Sequence, residues 1–533
     1  MWATPVLPDI ALEHHYGDRV VPCFRERPGN LNRLLPEALA RVPDNDALVH
    51  GDRRLSYRAL DEQVGRVAAG LAACGVGAGD RVALILGNRI EFVVLVLATW
   101  RLGAVAVPLN TRDSRSGYEH ALGDSGALVL VHEPDVRERL PDNRSLPGLQ
   151  HRVCVSEFEQ LLQHGERREA ATVAKEDVAA ILYTSGTTGR PKGAMLTHFG
   201  IIHSLMHFTV CMGLEPGERS LITVPFSHVT GLVALMGTCL HAAGTLIIQS
   251  EFKARAFLEL AARERMTHTV LVPAMYNLCL LDPEFDRFDL SAWRIGGYGG
   301  APMPAVTIGK LAERLPNLQL MNAYGATETS SPVTMMPPAE TGSRGDSIGV
   351  ALPCARVAIM DDDGREVPRG QPGELWVAGP MVVPGYWNNP EATAREFTGG
   401  FWRSGDIGSM DADGFVYVFD RKKDMINRGG YKVFTTEVEN VMLAYPGVAE
   451  VAVIGTPCPV LGERVHAFVV SAEGGVDEAA LLDHCAAELS DYKVPEGVIL
   501  RQEPLPRNPN GKVLKRALRD AFAAQHGDGE PAG

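Results

Sequence analysis

Short runs of β-branched and other apolar residues recur along the chain at 81–86, 104–108, 127–132, 178–183, 245–249 and 269–272, and the stretches between them carry helix-like periodicity. Continuous apolar runs of this length read as strands buried on both faces, and their alternation with helices predicts α/β layers built on mostly parallel sheets. Residues 221–250 contain no Lys, Arg, Asp or Glu and are long enough to cross a bilayer. Pro225, Ser227, His228, Gly231, Gly237, His241 and Gly244 break that stretch into strand, loop, buried helix and strand, so it is expected to line the core and a pocket. The texture changes after Gly400. Two pieces of sheet, 401–411 and 414–419, precede the charged string Asp420-Arg421-Lys422-Lys423-Asp424; beyond it come strand-like runs at 448–454 and 464–470 and a helix-like run at 477–489. The expected fold class is therefore α/β: a large N-terminal domain of layered α/β sheets over 1–420, a charged hinge at 421–424, and a small mobile α+β C-terminal domain over 425–533.

Composition narrows the class. Of 533 residues 45% are hydrophobic and 22% charged, the proportions of a globular protein rather than a disordered or fibrous one. Lys and Arg total 51 against 65 Asp and Glu, a formal charge of -14, so the field of the whole chain disfavours nucleic acid and anionic lipid as partners. An anionic substrate needs a local basic site. The nine cysteines include no C-x-x-C pair, which argues against a zinc site or disulfide framework and for reduced thiols. The first ten residues lack a signal peptide's basic and apolar regions, so a cytoplasmic protein without an integral membrane segment is expected.

The segment most charged with chemistry is Tyr183-Thr184-Ser185-Gly186-Thr187-Thr188-Gly189-Arg190-Pro191-Lys192-Gly193, directly after an apolar strand. Its glycines free backbone N–H groups to face an anion, its hydroxyls add donors and Lys192 adds a cation, which together make a phosphate cradle. It is not a Walker A loop, because Pro191 stands where that spacing needs the Gly-Lys-Ser/Thr.

This loop resembles the signature of the adenylate-forming superfamily, which includes acyl-CoA synthetases, firefly luciferases and peptide-synthetase adenylation domains. Tyr324-Gly325-Ala326-Thr327-Glu328-Thr329, Ser404-Gly405-Asp406, Asp420 to Asp424, Gly429-Gly430-Tyr431-Lys432 and Pro506 to Lys512 follow in the family's order, so that the resemblance spans about residues 30–520. It implies an AMP-forming acyl-CoA synthetase using ATP, Mg²⁺ and coenzyme A. ATP and AMP would be held by Thr184, Ser185, Gly186, Thr187, Thr188, Gly189, Lys192, Gly300, Ala301, Pro302, Asn322, Ala323, Tyr324, Gly325, Asp406 and Arg421. Within that set Tyr324 would stack on adenine and Asp406 would accept the ribose hydroxyls, while Thr327, a catalytic residue, would hold the α-phosphate. Glu328 would be the magnesium ligand and Lys512 the catalytic cation. Lys423 would be the hinge residue, and Gly429, Gly430 and Tyr431 would line the channel for CoA.

The chemistry requires such a set. A carboxylate resists attack by a thiol because oxide is a poor leaving group, so it must first be joined to AMP, and the protein's task is positioning and neutralising phosphate charge. The acid is expected against Phe226, His228, Val229, Val233, Tyr298 and Gly299, with His228 near the carboxylate. The His228 segment carries neither an Asp to grip an amino group nor an Arg to hold a second carboxylate. A neutral tail is implied, with a medium- or long-chain fatty acid favoured and an aryl or cyclic acid as alternative; a homodimer is left open. Against the family, Tyr298 stands where many relatives carry Ser or Thr, and Asp420 where Gly often precedes the linker arginine. Two rivals come from other classes. Gly345-Asp346-Ser347-Ile348-Gly349 matches the G-x-S-x-G of serine hydrolases but follows a loop rather than a strand, and a non-catalytic acyl or nucleotide binder would release no pyrophosphate.

Overall fold

The computed structural model describes residues 7–163, 166–184, 190–472, 475–507 and 513–526. The chain divides into two compact units. The larger comprises 1–358, 376–403 and 411–416, and the smaller 359–375, 404–410 and 417–533.

Two sheets organise the larger unit. The first has six strands in the order Lys192–Thr197, Val178–Thr184, Val105–Pro108, Arg81–Ile85, Val129–His132 and His151–Cys154, parallel except for the hairpin formed by the first two. The second has nine, in the order Val350–Ala351, Ser331–Met335, Gln319–Ala326, Ile295–Tyr298, His268–Leu271, Arg219–Ile222, Thr245–Ile248, Asp46–His50 and Arg53–Ser56. Its six inner strands, from Gln319–Ala326 to Asp46–His50, run parallel. All the apolar runs read from the sequence are strands here, displaced by a residue or two at their ends.

Helix Ile90–Arg101 explains how the sheets share one core. Every residue in it is buried, as expected of a helix that is apolar all round, and Trp100 Nε1 donates to the carbonyl of Ala179 at 2.9 Å. The uncharged stretch 221–250 resolves into strand, helical segment and strand; among the described residues no helix is long and apolar enough to cross a membrane. Its middle, Thr230–Gly237, is wound as a π-helix, where the Thr238 hydroxyl donates to the Val233 carbonyl five residues back at 3.0 Å. Isolated π turns are uncommon and gather at functional sites.

The smaller unit has its own core around Ile426, Val453, Val465, Phe468 and Leu481. Its sheet runs Tyr431–Val433, Ile426–Arg428, Gly462–Ser471 and Val448–Cys458, with Gly497–Arg501 added parallel to Gly462–Ser471. Asp420, unexpected from the resemblance, has a local reason: its carboxylate accepts from the backbone N–H and hydroxyl of Thr435, the first residue of helix Thr435–Leu443, and from the Arg421 N–H. Lys515 and Arg519 extend this framework. The sequence reads them as a solvated basic face; instead Lys515 pairs with Glu439 at 2.7 Å and Arg519 with Asp424 at 2.8 Å.

Candidate active site

In a parallel sheet the carboxyl ends of neighbouring strands lie along one edge, where open α/β sheets bind ligands. The nine-stranded sheet brings three of the sequence-marked segments to that edge: the Phe226–Val233 segment after Arg219–Ile222, Gly299–Pro302 after Ile295–Tyr298, and Tyr324–Glu328 at the end of Gln319–Ala326.

Tyr298 pairs in register with Asn322. A Cβ at Gly299 would stand 2.5 Å from the Ala323 carbonyl oxygen, so glycine is what lets these strand ends approach. Gly300 sits at φ +79°, and Ala301 and Pro302 are exposed. Asn322 is buried with its amide donating to the Ser347 carbonyl at 3.4 Å. Gly325 follows a register shift at Tyr324/Gly325; an added Cβ there would fall 1.5 Å from the Ser331 carbonyl oxygen. Thr327 and Glu328 then form a single 3-10 turn, closed by the Thr329 hydroxyl accepting from the Ala326 N–H at 2.9 Å. Ser330 and Ser331 both hold positive φ, 50° and 103°. Two consecutive non-glycine residues in that region store strain, and such strain collects where side chains must be aimed.

Glu328 is 8% exposed and its Oε1 accepts from the Tyr386 hydroxyl at 2.9 Å. The same hydroxyl lies 2.7 Å from Glu396 Oε2. Glu396 in turn takes both its oxygens to Lys192 Nζ, at 2.7 and 2.6 Å, and the ammonium lies 4.1 Å from the centre of the Tyr386 ring. Lys192 is buried. Burial and the flanking carboxylates raise the Tyr386 phenol well above its ordinary pKa, so the hydroxyl keeps its proton. Burial pushes the Glu396 carboxyl up, but bonds from Lys192 and Tyr386 outweigh it and leave the group below the usual range. The phosphate-cradle lysine and the proposed metal ligand therefore belong to one chain of polar contacts.

Lys192 opens the second strand of the hairpin that pairs it with Thr184. Tyr183 fixes the first strand through its hydroxyl, which donates to Asp124 at 2.6 Å. Of the cradle itself, Ser185, Gly186, Thr187, Thr188 and Gly189 lie outside the described residues, as does Lys512.

On the acyl side, Phe226 stacks on Phe92 with ring centres 4.9 Å apart, and Val229 and Val233 are buried. His228 Nδ1 accepts from the Thr230 N–H at 3.3 Å and lies 3.1 Å from the Thr230 hydroxyl. An accepting Nδ1 places the proton of the neutral ring on Nε2, a donor suited to a carboxylate. Desolvation lowers the ring's pKa, so it is neutral at pH 7 even though part of its surface is open. Tyr298 packs not with this wall but in the core cluster of Tyr276, Trp293 and Met303; it is fully buried, and its hydroxyl has no partner among the described residues.

In the smaller unit, Arg421 Nε pairs with Asp406 Oδ1 at 2.7 Å and Asp406 is 4% exposed. Lys423 is exposed in the turn after strand Val416–Arg421. Partial desolvation is the main influence lowering its pKa. Gly429 and Gly430, at φ +61° and +90°, form the two-residue turn between strands Ile426–Arg428 and Tyr431–Val433. A tight hairpin of this kind needs positive φ at both positions, which accounts for the glycine pair from the backbone alone. Gly430→Ala is accordingly expected to lower stability by about 1 kcal/mol, read as an earlier urea midpoint at unchanged slope. Tyr431 is exposed and stacks on Tyr492 at 4.7 Å.

Neither the rival serine centre nor a cluster of metal-ligating residue types found in the fold has the structure its chemistry needs. Ser347 is fully buried and its hydroxyl donates to the Val416 carbonyl at 2.7 Å, with no nucleophile-elbow strand before it. Glu13, His15 and Cys23 come within metal-ligand reach of one another. Arg27, however, donates to both Glu13 oxygens and holds that carboxyl down to about 2, while burial pushes the Cys23 thiol up to about 12. A guanidinium already fills the role of the cation.

Residues 35–387 match the model of the AMP-binding enzyme, and 437–512 that of the AMP-binding enzyme C-terminal domain. The chain belongs to the AMP-binding enzyme family. Within that family it is an acyl-CoA synthetase, an AMP-forming acid–thiol ligase. It is 38% identical to a feruloyl-CoA synthase of Amycolatopsis sp over 91% of this chain and 98% of that one. It is 34% identical to a long-chain-fatty-acid–CoA ligase of Mycobacterium tuberculosis, over 89% and 94%. The crystal structure of ATP-bound MatB from Rhodopseudomonas palustris superposes with a TM-score of 0.85 at 33% identity, covering 92% of this chain and 99% of that one. The sequence reading of this enzyme passed over Tyr386 and Glu396. Glu396 is 204 residues from Lys192, and Tyr386 is 58 from Glu328, so no spacing within a motif ties them together.

Proposed function

We propose that this synthetase, acting in the cytoplasm, activates a neutral aryl carboxylic acid with ATP and transfers the acyl group to coenzyme A. What carries the nucleotide half of the reading is the buried chain of contacts joining Lys192 to Glu328. It supplies a cation for phosphate and a carboxylate for metal at the ligand-binding edge of the sheet. Among the described residues, Glu328 Oε2 carries no hydrogen bond, and one carboxylate oxygen with phosphate oxygens and water is a donor set that Mg²⁺ accepts. When bound, Mg²⁺ neutralises charge on the phosphates.

In the first step a carboxylate oxygen of the acid attacks the α-phosphorus, the bond to the bridging oxygen breaks and pyrophosphate leaves. His228 Nε2–H orients the acid, and Lys192, Thr327 and Lys512 stabilise the charge that develops on the phosphates. Asp406 with Arg421 holds the ribose, and Tyr324 the adenine. In the second step the CoA thiolate attacks the acyl carbon and AMP departs. Gly429, Gly430 and Tyr431 serve that step, with rotation about Lys423 between domains 1–420 and 425–533 exchanging the two arrangements.

The choice of an aryl acid rests on Tyr298. A buried hydroxyl without a partner costs about 1–3 kcal/mol, and a phenolic or methoxy substituent on the acid would satisfy it where an alkyl chain would not. The similarity to a feruloyl-CoA synthase points the same way. The fatty-acid reading keeps one observation in its favour, the apolar wall of Phe226, Val229 and Val233.

A pyrophosphate-release screen over fatty acids of increasing length, benzoates and cinnamates, with and without CoA, separates them. Hydroxycinnamates are expected to lead. Tyr298→Phe should lower kcat/KM about 10-fold for a hydroxycinnamate and leave unsubstituted cinnamate unchanged. A preference for long alkyl chains in both proteins overturns the aryl assignment.

A further inference from the structure

One phenolic proton stands between two carboxylates. The Tyr386 oxygen lies 2.9 Å from Glu328 Oε1 and 2.7 Å from Glu396 Oε2, and a hydroxyl can donate to one of them at a time. Which carboxylate needs it more depends on Lys192. While the ammonium holds both Glu396 oxygens, Glu396 is neutralised and the hydroxyl is free to serve Glu328. If Lys192 turns to a phosphate, Glu396 keeps only the half-exposed guanidinium of Arg395, 3.1 Å from its Oε1, and a partly buried carboxylate so stripped draws the hydroxyl to itself. Glu328 Oε1 is then released.

We propose that Tyr386 and Glu396 are positioning residues that form a relay: Glu396 parks Lys192 when nucleotide is absent, and the Tyr386 hydroxyl, moving from Glu328 to Glu396 as Lys192 leaves, releases Oε1 beside the already unbonded Oε2, so that Glu328 meets the metal of the arriving nucleotide with its full charge. The inference rests on the reading above that Lys192 meets the ATP phosphates and Glu328 the metal, and it adds the coupling between them. No covalent bond forms or breaks and every proton stays on its residue, so the protein's charge is conserved throughout. The geometry also sets the sign of each perturbation. Parking is a cost that nucleotide binding must overcome, because the ion pair between buried Lys192 and Glu396 must open. Removing the carboxylate's charge while keeping its shape lowers that cost. Removing the hydroxyl raises it, since Glu396 then has no second donor to take over.

The test is equilibrium binding of Mg·ATP to the full-length chain by titration calorimetry, in four proteins. Glu396→Gln should bind about 5-fold more tightly than wild type while melting at a lower temperature, a combination that damage to the site cannot produce. Tyr386→Phe, which keeps the ring under Lys192, should bind about 5-fold more weakly. The double variant should bind at least as tightly as wild type, because an uncharged amide at position 396 no longer needs the hydroxyl. Unchanged or weaker binding by Glu396→Gln, or a Tyr386→Phe defect that persists in the double variant, overturns the relay. Should Tyr386→Phe fail to fold, the Glu396→Gln result alone decides. Absence of Mg·ATP binding in the wild-type chain would overturn the nucleotide assignment itself, whereas normal wild-type binding with no response in the variants sinks only the coupling.

Discussion

Lys512→Ala is expected to slow acyl-adenylate formation by about 10²-fold or more while leaving thioester formation from supplied acyl-AMP near the wild-type rate. The asymmetry follows from the chemistry of the two steps. In the first, negative charge grows on phosphate oxygens as the acid attacks and pyrophosphate departs, and a lysine reaching the reacting atoms lowers that barrier directly. In the second the leaving group is AMP and the attack is on carbon, so a cation placed for the first step has no remaining task. Single-turnover pyrophosphate release, run beside CoA capture of synthetic acyl-AMP, measures the two separately. Equal losses in both would show that one arrangement of the domains serves both reactions, and the two-conformation account would fall.

Glu328→Gln should reduce pyrophosphate release by about 10²-fold and flatten its dependence on Mg²⁺ concentration. Glutamine keeps the length of the side chain and a carbonyl oxygen able to accept from Tyr386, so the packing of the buried turn is retained. What disappears is one negative charge on an oxygen that the described residues leave unbonded. A variant with a wild-type magnesium profile would move the metal site elsewhere.

Much of this was legible in the amino-acid order. The buried strands appear as apolar runs because a parallel sheet covered on both faces has no polar side to betray it, and the glycine-rich and acidic stations stand out because their residues are adjacent in the chain. The chemistry assembled from distant segments was harder to see. Tyr386 and Glu396 lie in an ordinary Gly-Tyr-Trp-Asn-Asn-Pro stretch and the helix Pro390–Glu396 that follows it, and nothing local says that the pair meets Lys192. Asp420 looked like a departure at the linker until its carboxylate was found capping helix Thr435–Leu443. Gly429 and Gly430 carry a second reason for being glycine that the pattern alone does not show: the hairpin turn itself demands both residues. The π-helix after His228 escaped as well, because a run apolar on every face carries no periodicity from which its winding could be told.

The smaller unit is not a simple tail. It gathers 359–375 and 404–410 along with everything from 417 onward, and the chain passes between units inside the strands Arg356–Met360, Gly373–Ala378, Phe401–Met410 and Val416–Arg421. One scission cannot therefore harvest it. A graft of 425–533 alone, the lobe proposed to rotate, would carry its own sheet and core across a single seam and leave 359–375 and 404–410 with the parent chain.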